Sequence, residues 1–451
     1  MNNNPIYSKL TLTGGALVLA VTASVYADGT NPPPAATSSG TPAAAPGTLN
    51  SFFNGKLPDA IGKGKITLNS RLRWEHADQS NLQESDAFTL RTRFGLTTAS
   101  LYGFLGMIEG ENVTSLGDED DYNAAGSNPP GAGKTVIADP PTTEINQAWL
   151  SYTYTNRVTL KGGRERIVLD NARFVGDVGW RQNQQTFDAV SVQGSPVKDL
   201  NLFYGYIWDV HRVFGNVGGL AQTAATRDFD SSSHLLNASY SGWKYGKVTV
   251  YSYLLDLSNG AGSANSCATY GASIAGTVPA GEKIKLNYHG EFAWQTDYAN
   301  SPLDYGAEYY RVELGATVKP LVVGAGYEVL GSDDNKGPGG GLASFRTPLA
   351  TLHAFNGWAD VFLTTPAAGL HDLYAFAQVT VPKIELPIRF VYHKFDADKG
   401  SGDYGQEFDL VAVKKFGKHW SAIAKYACYD GHDSPYSFDV DKFWLETDFN
   451  Y

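Results

Sequence analysis

Nine arginines crowd into one part of this chain: Arg71, Arg73, Arg91, Arg93, Arg157, Arg164, Arg166, Arg173 and Arg181. A guanidinium stays charged at any working pH and grips a carboxylate through two parallel N–H donors, so such a set suits the holding or guiding of carboxylates. The spacing adds geometry. Arg71 and Arg73 are two residues apart, as are Arg91 and Arg93. Side chains on a strand change face at every residue, so each pair shares one face. In Lys65 to Glu75 the other parity carries Ile66, Leu68, Leu72 and Trp74, and in Phe88 to Thr97 it carries Phe88, Leu90, Phe94 and Leu96. Each segment therefore has a greasy face and a face with an arginine pair, and the polar stretch Ala77 to Ala87 between them reads as a water-facing turn. Glu109 and Glu111 repeat the two-residue spacing on the next alternating segment, in register to meet the arginines. Two roles follow: a positive path for anions, or pairing with Glu75, Glu109, Glu111 and Asp170 that braces a wall.

Other constellations are weaker. Gly131 to Thr135 imitates a phosphate-binding loop, but Asn128 stands where the first glycine belongs and no strand precedes it. Asp209 and His211 share a face, yet no G-x-S-x-G elbow accompanies them. Asp396, Asp398, Asp403 and Glu407 have the flavour of a calcium loop, with Ser401 at the position that demands glycine and no flanking helices. Cys267 falls in a Gly/Ala/Ser stretch read as a loop and Cys428 in a strand-like segment, and two unpatterned cysteines make no disulfide framework. No catalytic residue, metal site or cofactor is expected.

The elements that must position these side chains point to one architecture. Met1 to Ala27 has Lys9, the apolar run Leu10 to Val21 and a small-x-small ending at Val25-Tyr26-Ala27, the pattern of a cleaved secretory signal peptide. Asp28 to Thr48 is Pro, Ala, Thr, Ser and Gly with almost no charge, and reads as a disordered tether. After the leader no apolar run approaches the ~18 residues of a membrane helix. A formal charge of −11 argues against a nucleic-acid partner.

From about residue 60 to Tyr451 the chain instead repeats alternating segments of strand length. Lys283–Asp297 sets Ile284, Leu286, Tyr288, Phe292 and Trp294 against lysines, His289 and Glu291, and Tyr309–Lys319 carries Arg311 and Glu313 on its polar face. Short turns alternate with long loops such as Gly117 to Thr142. The last segment, Lys442 to Tyr451, ends on an aromatic residue, the signal expected by outer-membrane assembly machinery. The expected fold is all-β: a single transmembrane antiparallel β-barrel of about 16–18 strands, 18 favoured, with a water-filled lumen. An edge-on strand facing lipid is untenable, so the first and last strands must pair.

One further string is specific. His353 to Tyr374 reads HAFNGWADVFLTTPAAGLHDLY, and it resembles the GWAD stretch of the alginate-export family of bacterial outer-membrane porins. RLRWE at Arg71 to Glu75, RTRFG at Arg91 to Gly95, GRERI at Gly163 to Ile167, GWRQNQQTFDAV at Gly179 to Val190 and GQEFDL at Gly405 to Leu410 agree with it, so the likeness spans nearly the whole mature chain. The resemblance implies an 18-stranded barrel whose arginine-lined, electropositive constriction exports a uronate polymer. One departure is Glu165, where relatives commonly have Gln, which adds a carboxylate at that level.

The reading is an outer-membrane channel, monomeric, passing anionic solutes or a uronate-type polysaccharide. The alternatives are an uptake porin for small organic acids or oligosaccharides and, from another class, a barrel enzyme or adhesin working through its loops. The expected path residues are Arg71, Arg73, Arg91, Arg93, Arg164, Arg166, Arg173, Arg181, Glu109, Glu111 and Arg311. Gly357, Trp358 and Asp360 break the alternation and Pro366 cannot donate a ladder bond, so Trp358 and Asp360 are expected in a loop at the pore mouth with a gating role. Lipid of the outer membrane and the assembly machinery at Tyr451 complete the expected partners.

Overall fold

A computed structural model describes residues 56–125, 131–215, 227–258, 260–334, 337 and 340–451; the expected leader and tether, and Asn128, lie outside the described residues. Following a short helix α1 (Lys56–Gly62), the strands are β1 (Lys65–Gln79), β2 (Ser85–Thr97), β3 (Phe104–Ser115), β4 (Thr142–Tyr154), β5 (Val158–Glu165), β6 (Thr186–Gly194), β7 (Leu200–His211), β8 (Asp228–Trp243) and β9 (Gly246–Leu255). They continue as β10 (Cys267–Pro279), β11 (Lys285–Asp297), β12 (Gly306–Val318), β13 (Leu321–Leu330), β14 (Leu370–Val381), β15 (Leu386–Asp396), β16 (Asp403–Phe416), β17 (Trp420–Gly431) and β18 (Val440–Asn450). Together they form one 18-stranded sheet in which each strand pairs antiparallel with its chain neighbour.

Closure is explicit. β1 pairs with β2 on one side and β18 on the other, with Arg71 opposite Arg91 and Asp448. The Tyr451 N–H donates to the Leu68 carbonyl at 2.9 Å, and the Leu68 N–H returns a bond to Tyr451 at 3.1 Å. The alternation sorts the two faces. Leu72, Phe94, Ile108, Leu150, Phe292, Leu314, Leu373 and Leu445 stand exposed on the outer parity, a belt that only a hydrocarbon environment would favour. Arg71, Arg73, Arg91, Glu291, His393, Lys425 and Trp444 are on the inner parity and buried. No helix among the described residues is long and apolar enough to cross a membrane.

The rims differ. Residues 155–157, 195–199, 244–245, 319–320 and 417–419 are short turns at the rim that also holds both ends of the sheet. The opposite rim carries the long connections 116–141, 166–185 and 331–369. By the rule for such barrels, short turns lie on the periplasmic side. Gly163 (φ +124°), near the end of β5, shows why one position within a strand needs glycine: a Cβ there would stand 2.3 Å from the Ala148 carbonyl oxygen on β4.

One expectation is corrected here. Cys267, read as part of a loop, opens β10 and is buried on the inner face; Ala268, Gly271, Ala272, Ala275 and Gly276 hid the strand, because they carry too little apolar weight to register as alternation. Both cysteines are free.

Two long connections do not stay at the rim. Residues 166–185 and 343–369 fold into the barrel, where Phe174, Trp180, Phe345, Trp358 and Phe362 join wall residues Tyr251, Tyr309, Phe395, Tyr429 and Trp444 in one apolar cluster. The core of this barrel is therefore its lumen.

Candidate functional site: the lumen

The two infolded segments meet inside the barrel. Val175 bridges Leu349, the Gly176 N–H donates to the Leu349 carbonyl at 2.8 Å, and the Thr351 N–H donates to the Ala172 carbonyl at 2.9 Å. Backbone inside a barrel must find partners, since an orphaned carbonyl there costs as much as a lost hydrogen bond. Here the arginine face of the wall supplies them. Arg71 donates to the carbonyls of Gly179 (3.0 Å) and Trp180 (3.1 Å), Arg73 to Trp180 (2.6 Å), and Arg93 to Gln182 (3.3 Å).

Most of the other contacts of these guanidiniums are with carboxylates. Arg71 pairs with Asp448 at 3.0 Å and Glu446 at 3.2 Å; Arg73 bonds Glu446 at 2.8 Å and Asp139 at 3.3 Å; Arg93 binds Glu111. Arg91 reaches Asn69 and lies 3.9 Å from Asp448. The four arginines point inward but are covered, with exposures of 1%, 0%, 0% and 4% for Arg71, Arg73, Arg91 and Arg93. Segment 179–184 lies over them. The two pairs are offset by one step along the hairpin: Arg71 faces Arg91, whereas Arg73 faces Thr89 and Arg93 faces Asn69.

The other named residues fall into three groups. Arg181 joins the segments, bonding Glu75 at 3.0 Å and Asp360 at 2.7 Å; Arg173 bonds Glu328 at 2.8 Å and Asn356 at 3.0 Å; Arg166 bonds Asp177 at 2.9 Å. Glu109 accepts from Asn146 (2.8 Å) and Gln147 (2.9 Å) rather than from an arginine. Arg311 sits on β12, with Nε on the Tyr374 hydroxyl at 2.9 Å and Nη2 on Glu313 at 2.8 Å.

Arg164 requires a correction. It lies opposite Ala148, on the parity that carries exposed Leu150, Leu160 and Val190, so it leaves the wall on the outer face. Its guanidinium closes the gap beyond the end of β5, bonding Asp188 at 2.8 and 3.1 Å and the Ile145 carbonyl at 3.2 Å. β5 pairs with β4 and β6 in continuous register, so its parity holds to the end and Glu165 is the residue that faces inward. Asp209 and His211 belong to this same outer network, with His211 3.1 Å from Asp188 and 3.4 Å from Asp209.

The GWAD stretch lies within the second infolded segment. Asn356, Gly357 and Asp360 all have positive φ, so the chain turns sharply there. Trp358 is buried inside the barrel, and Asp360 touches His353 (2.7 Å), Arg181 (2.7 Å) and Lys442 (3.5 Å). Asn356 donates to Glu328 at 2.7 Å and to Asp372 at 3.1 Å, and the Ala359 N–H donates to Glu407 at 2.7 Å. Glu407 thus serves this segment and does not converge with Asp396 and Asp398.

No family model and no curated protein sequence matches the chain. Solved structures do. OccK9 (OpdG) of Pseudomonas aeruginosa has a TM-score of 0.67 at 15% identity, covering 87% of this chain and 100% of its own. OccAB2 of Acinetobacter baumannii gives 0.68 at 12%, covering 87% and 98%. OpdK of Pseudomonas aeruginosa, solved with vanillate, gives 0.63 at 11%, covering 86% and 98%. The fold is that of an outer-membrane porin. With its apolar belt, this barrel belongs in the bacterial outer membrane.

Several residues at the centre of this lumen escaped the motif reading. Glu446, Asp448 and Lys442 were legible as inward-facing on the last strand, yet nothing along the sequence said that they face Arg71, Arg73 and Asp360. Asp139 and Gln182 come from connections, where parity has no meaning. Lys425 and Glu328 sit on the inner parity of β17 and β13, and only barrel closure brings them to the infolded segments.

Proposed function

We propose that this chain is an outer-membrane uptake channel for small anionic solutes of the organic-acid class, with the two infolded segments as its constriction. The observation that carries the reading is their junction inside the lumen, Gly176 to Leu349 and Thr351 to Ala172. Segments joined across the bore favour small solutes over polymers. Cations on the inner parity that keep some exposed surface and stand beside a carboxylate include Lys161 on β5, Lys247 on β9 and Arg311 on β12, next to Glu165, Asp170 and Glu313. A passing carboxylate can exchange with these partners at little cost, because it replaces one charge-assisted bond by another. The arginine pairs at Arg71, Arg73, Arg91 and Arg93 act mainly by fixing segment 179–184 and by contributing field. Trp358 and Asp360 anchor the second segment and so govern the gate. The vanillate in the OpdK structure is a small aromatic acid, which supports the same solute class.

A second reading, export of a uronate polymer, is favoured only by the GWAD string and the shorter strings that accompany it. Liposome swelling separates the two. Vesicles carrying the purified protein should swell in small carboxylates and exclude a uronate oligomer; entry of the oligomer at a comparable rate would favour export.

A further inference from the structure

Lys425 projects inward from β17 and is buried. Its ammonium lies 3.8 Å from the Trp358 ring, 4.2 Å from the Trp180 ring and 5.3 Å from the Trp444 ring. The three indoles come from three places: Trp180 from the first infolded segment, Trp358 from the second, and Trp444 from the wall at β18. The His353 ring stacks on Trp180 at 4.4 Å with 5° between planes, and its Nε2 contacts the ammonium. An ammonium has no lone pair, so that His nitrogen must accept, which leaves Nδ1 to carry the proton and donate to Asp360 at 2.7 Å. Asp360 then passes the connection to Arg181 and Lys442.

We propose that Lys425 is the positioning residue of the constriction: its ammonium, held in an aromatic cage that neither segment completes alone, docks both segments onto the wall and sets the bore. The chemistry is that of quaternary-ammonium recognition, in which ring faces replace water around a cation, here with a side chain of the same protein as the guest. The arrangement is cooperative by construction. Withdrawing the guest removes what Trp180 and Trp358 share, and it leaves His353 Nε2 without its donor. A purely apolar plug of similar volume would keep the packing and lose the link to Asp360. The inference rests on the channel reading for its electrical readout, but the docking itself can be followed without current.

The test replaces the ammonium and then restores it. Lys425→Met, and Lys425→Cys in a chain with Cys267→Ala and Cys428→Ala, are purified and reconstituted, assembly being checked by heat-modifiable gel mobility. Both should raise single-channel conductance at least twofold and increase acrylamide quenching of tryptophan emission. Treating the Lys425→Cys protein with an aminoethyl thiosulfonate rebuilds a lysine-like ammonium and should return both readouts toward the parent, whereas a methyl thiosulfonate should not. Parent-like conductance and quenching in Lys425→Met would overturn the proposal, as would equal rescue by the two reagents, which would mean that volume rather than charge matters. Should Lys425→Met not assemble, Trp358→Leu removes one wall of the cage and must give the same increases; if it behaves as the parent, the proposal fails. A parent protein that carries no current would defeat the channel reading alone, and the quenching comparison would still decide the cage.

Discussion

Gly357 presses so closely on Glu407 that a Cβ built on it would stand 2.2 Å from a carboxylate oxygen, at a backbone φ of +87°. Two demands therefore fall on one residue: the left-handed turn of the GWAD stretch and the approach that lets Ala359 N–H reach Glu407 at 2.7 Å. Gly357→Ala should strain the backbone by about 1–3 kcal/mol and push the segment off the wall. Conductance noise and tryptophan quenching should both rise while the barrel still migrates as folded. An alanine variant indistinguishable from the parent would mean that the segment is held elsewhere.

Arg93 and Glu111 form a buried pair on adjacent strands, so removing one partner strands the other. Arg93→Ser should cost about 3–5 kcal/mol in urea unfolding, and Arg93→Ser with Glu111→Ser should recover much of that loss. If the single variant were as stable as the parent, the pair would be ornamental.

The field of the wall arginines is separable from their bracing. Arg73→Ser with Arg93→Ser leaves Glu446, Asp139 and Glu111 with fewer cations. The reversal potential in a planar bilayer should therefore move toward cations, most at low salt where screening is weak. An unchanged potential in a folded double variant would confine these arginines to holding Gly179, Trp180 and Gln182.

Acid should loosen the second segment. Burial holds the His353 ring well below its ordinary value of 6.5, and Lys425 and Arg181 add to this against the opposing pull of Asp360. Below about pH 6.5 an undocked ring binds a proton that the docked ring refuses, so the contribution of His353 to docking is complete above that pH and declines as pH falls beneath it. Tryptophan quenching followed from pH 7.5 to 5 should rise, and His353→Asn should flatten that rise. A pH-independent parent signal over this range would contradict the assignment.

The fold was legible because period two survives wherever lipid and lumen alternate. β1, β2, β11 and β18 could be read directly. β10 was lost because Gly271, Ala272, Ala275 and Gly276 dilute the signal, and Arg164 was misplaced because its charge was given more weight than the parity it shares with exposed Val158 and Leu160. The site was legible only as a face. Arg71 and Arg73 share the inner face, but what lies over them, Gly179 to Gln182, is more than a hundred residues away and joined to them by carbonyls that every residue has. The same holds for Lys425: its three tryptophans were each visible, and their convergence on one ammonium exists only in the closed barrel.

The central claim is that a small-anion path runs through a bore narrowed by the joined segments. The most direct measurement is single-channel recording from the purified chain in a planar bilayer under a gradient of a small carboxylate salt, repeated with a uronate oligomer on one side. The account predicts discrete conductance steps, a reversal potential on the anion side, and at most transient block by the oligomer. Cation selectivity, or steady passage of the oligomer without block, would contradict it.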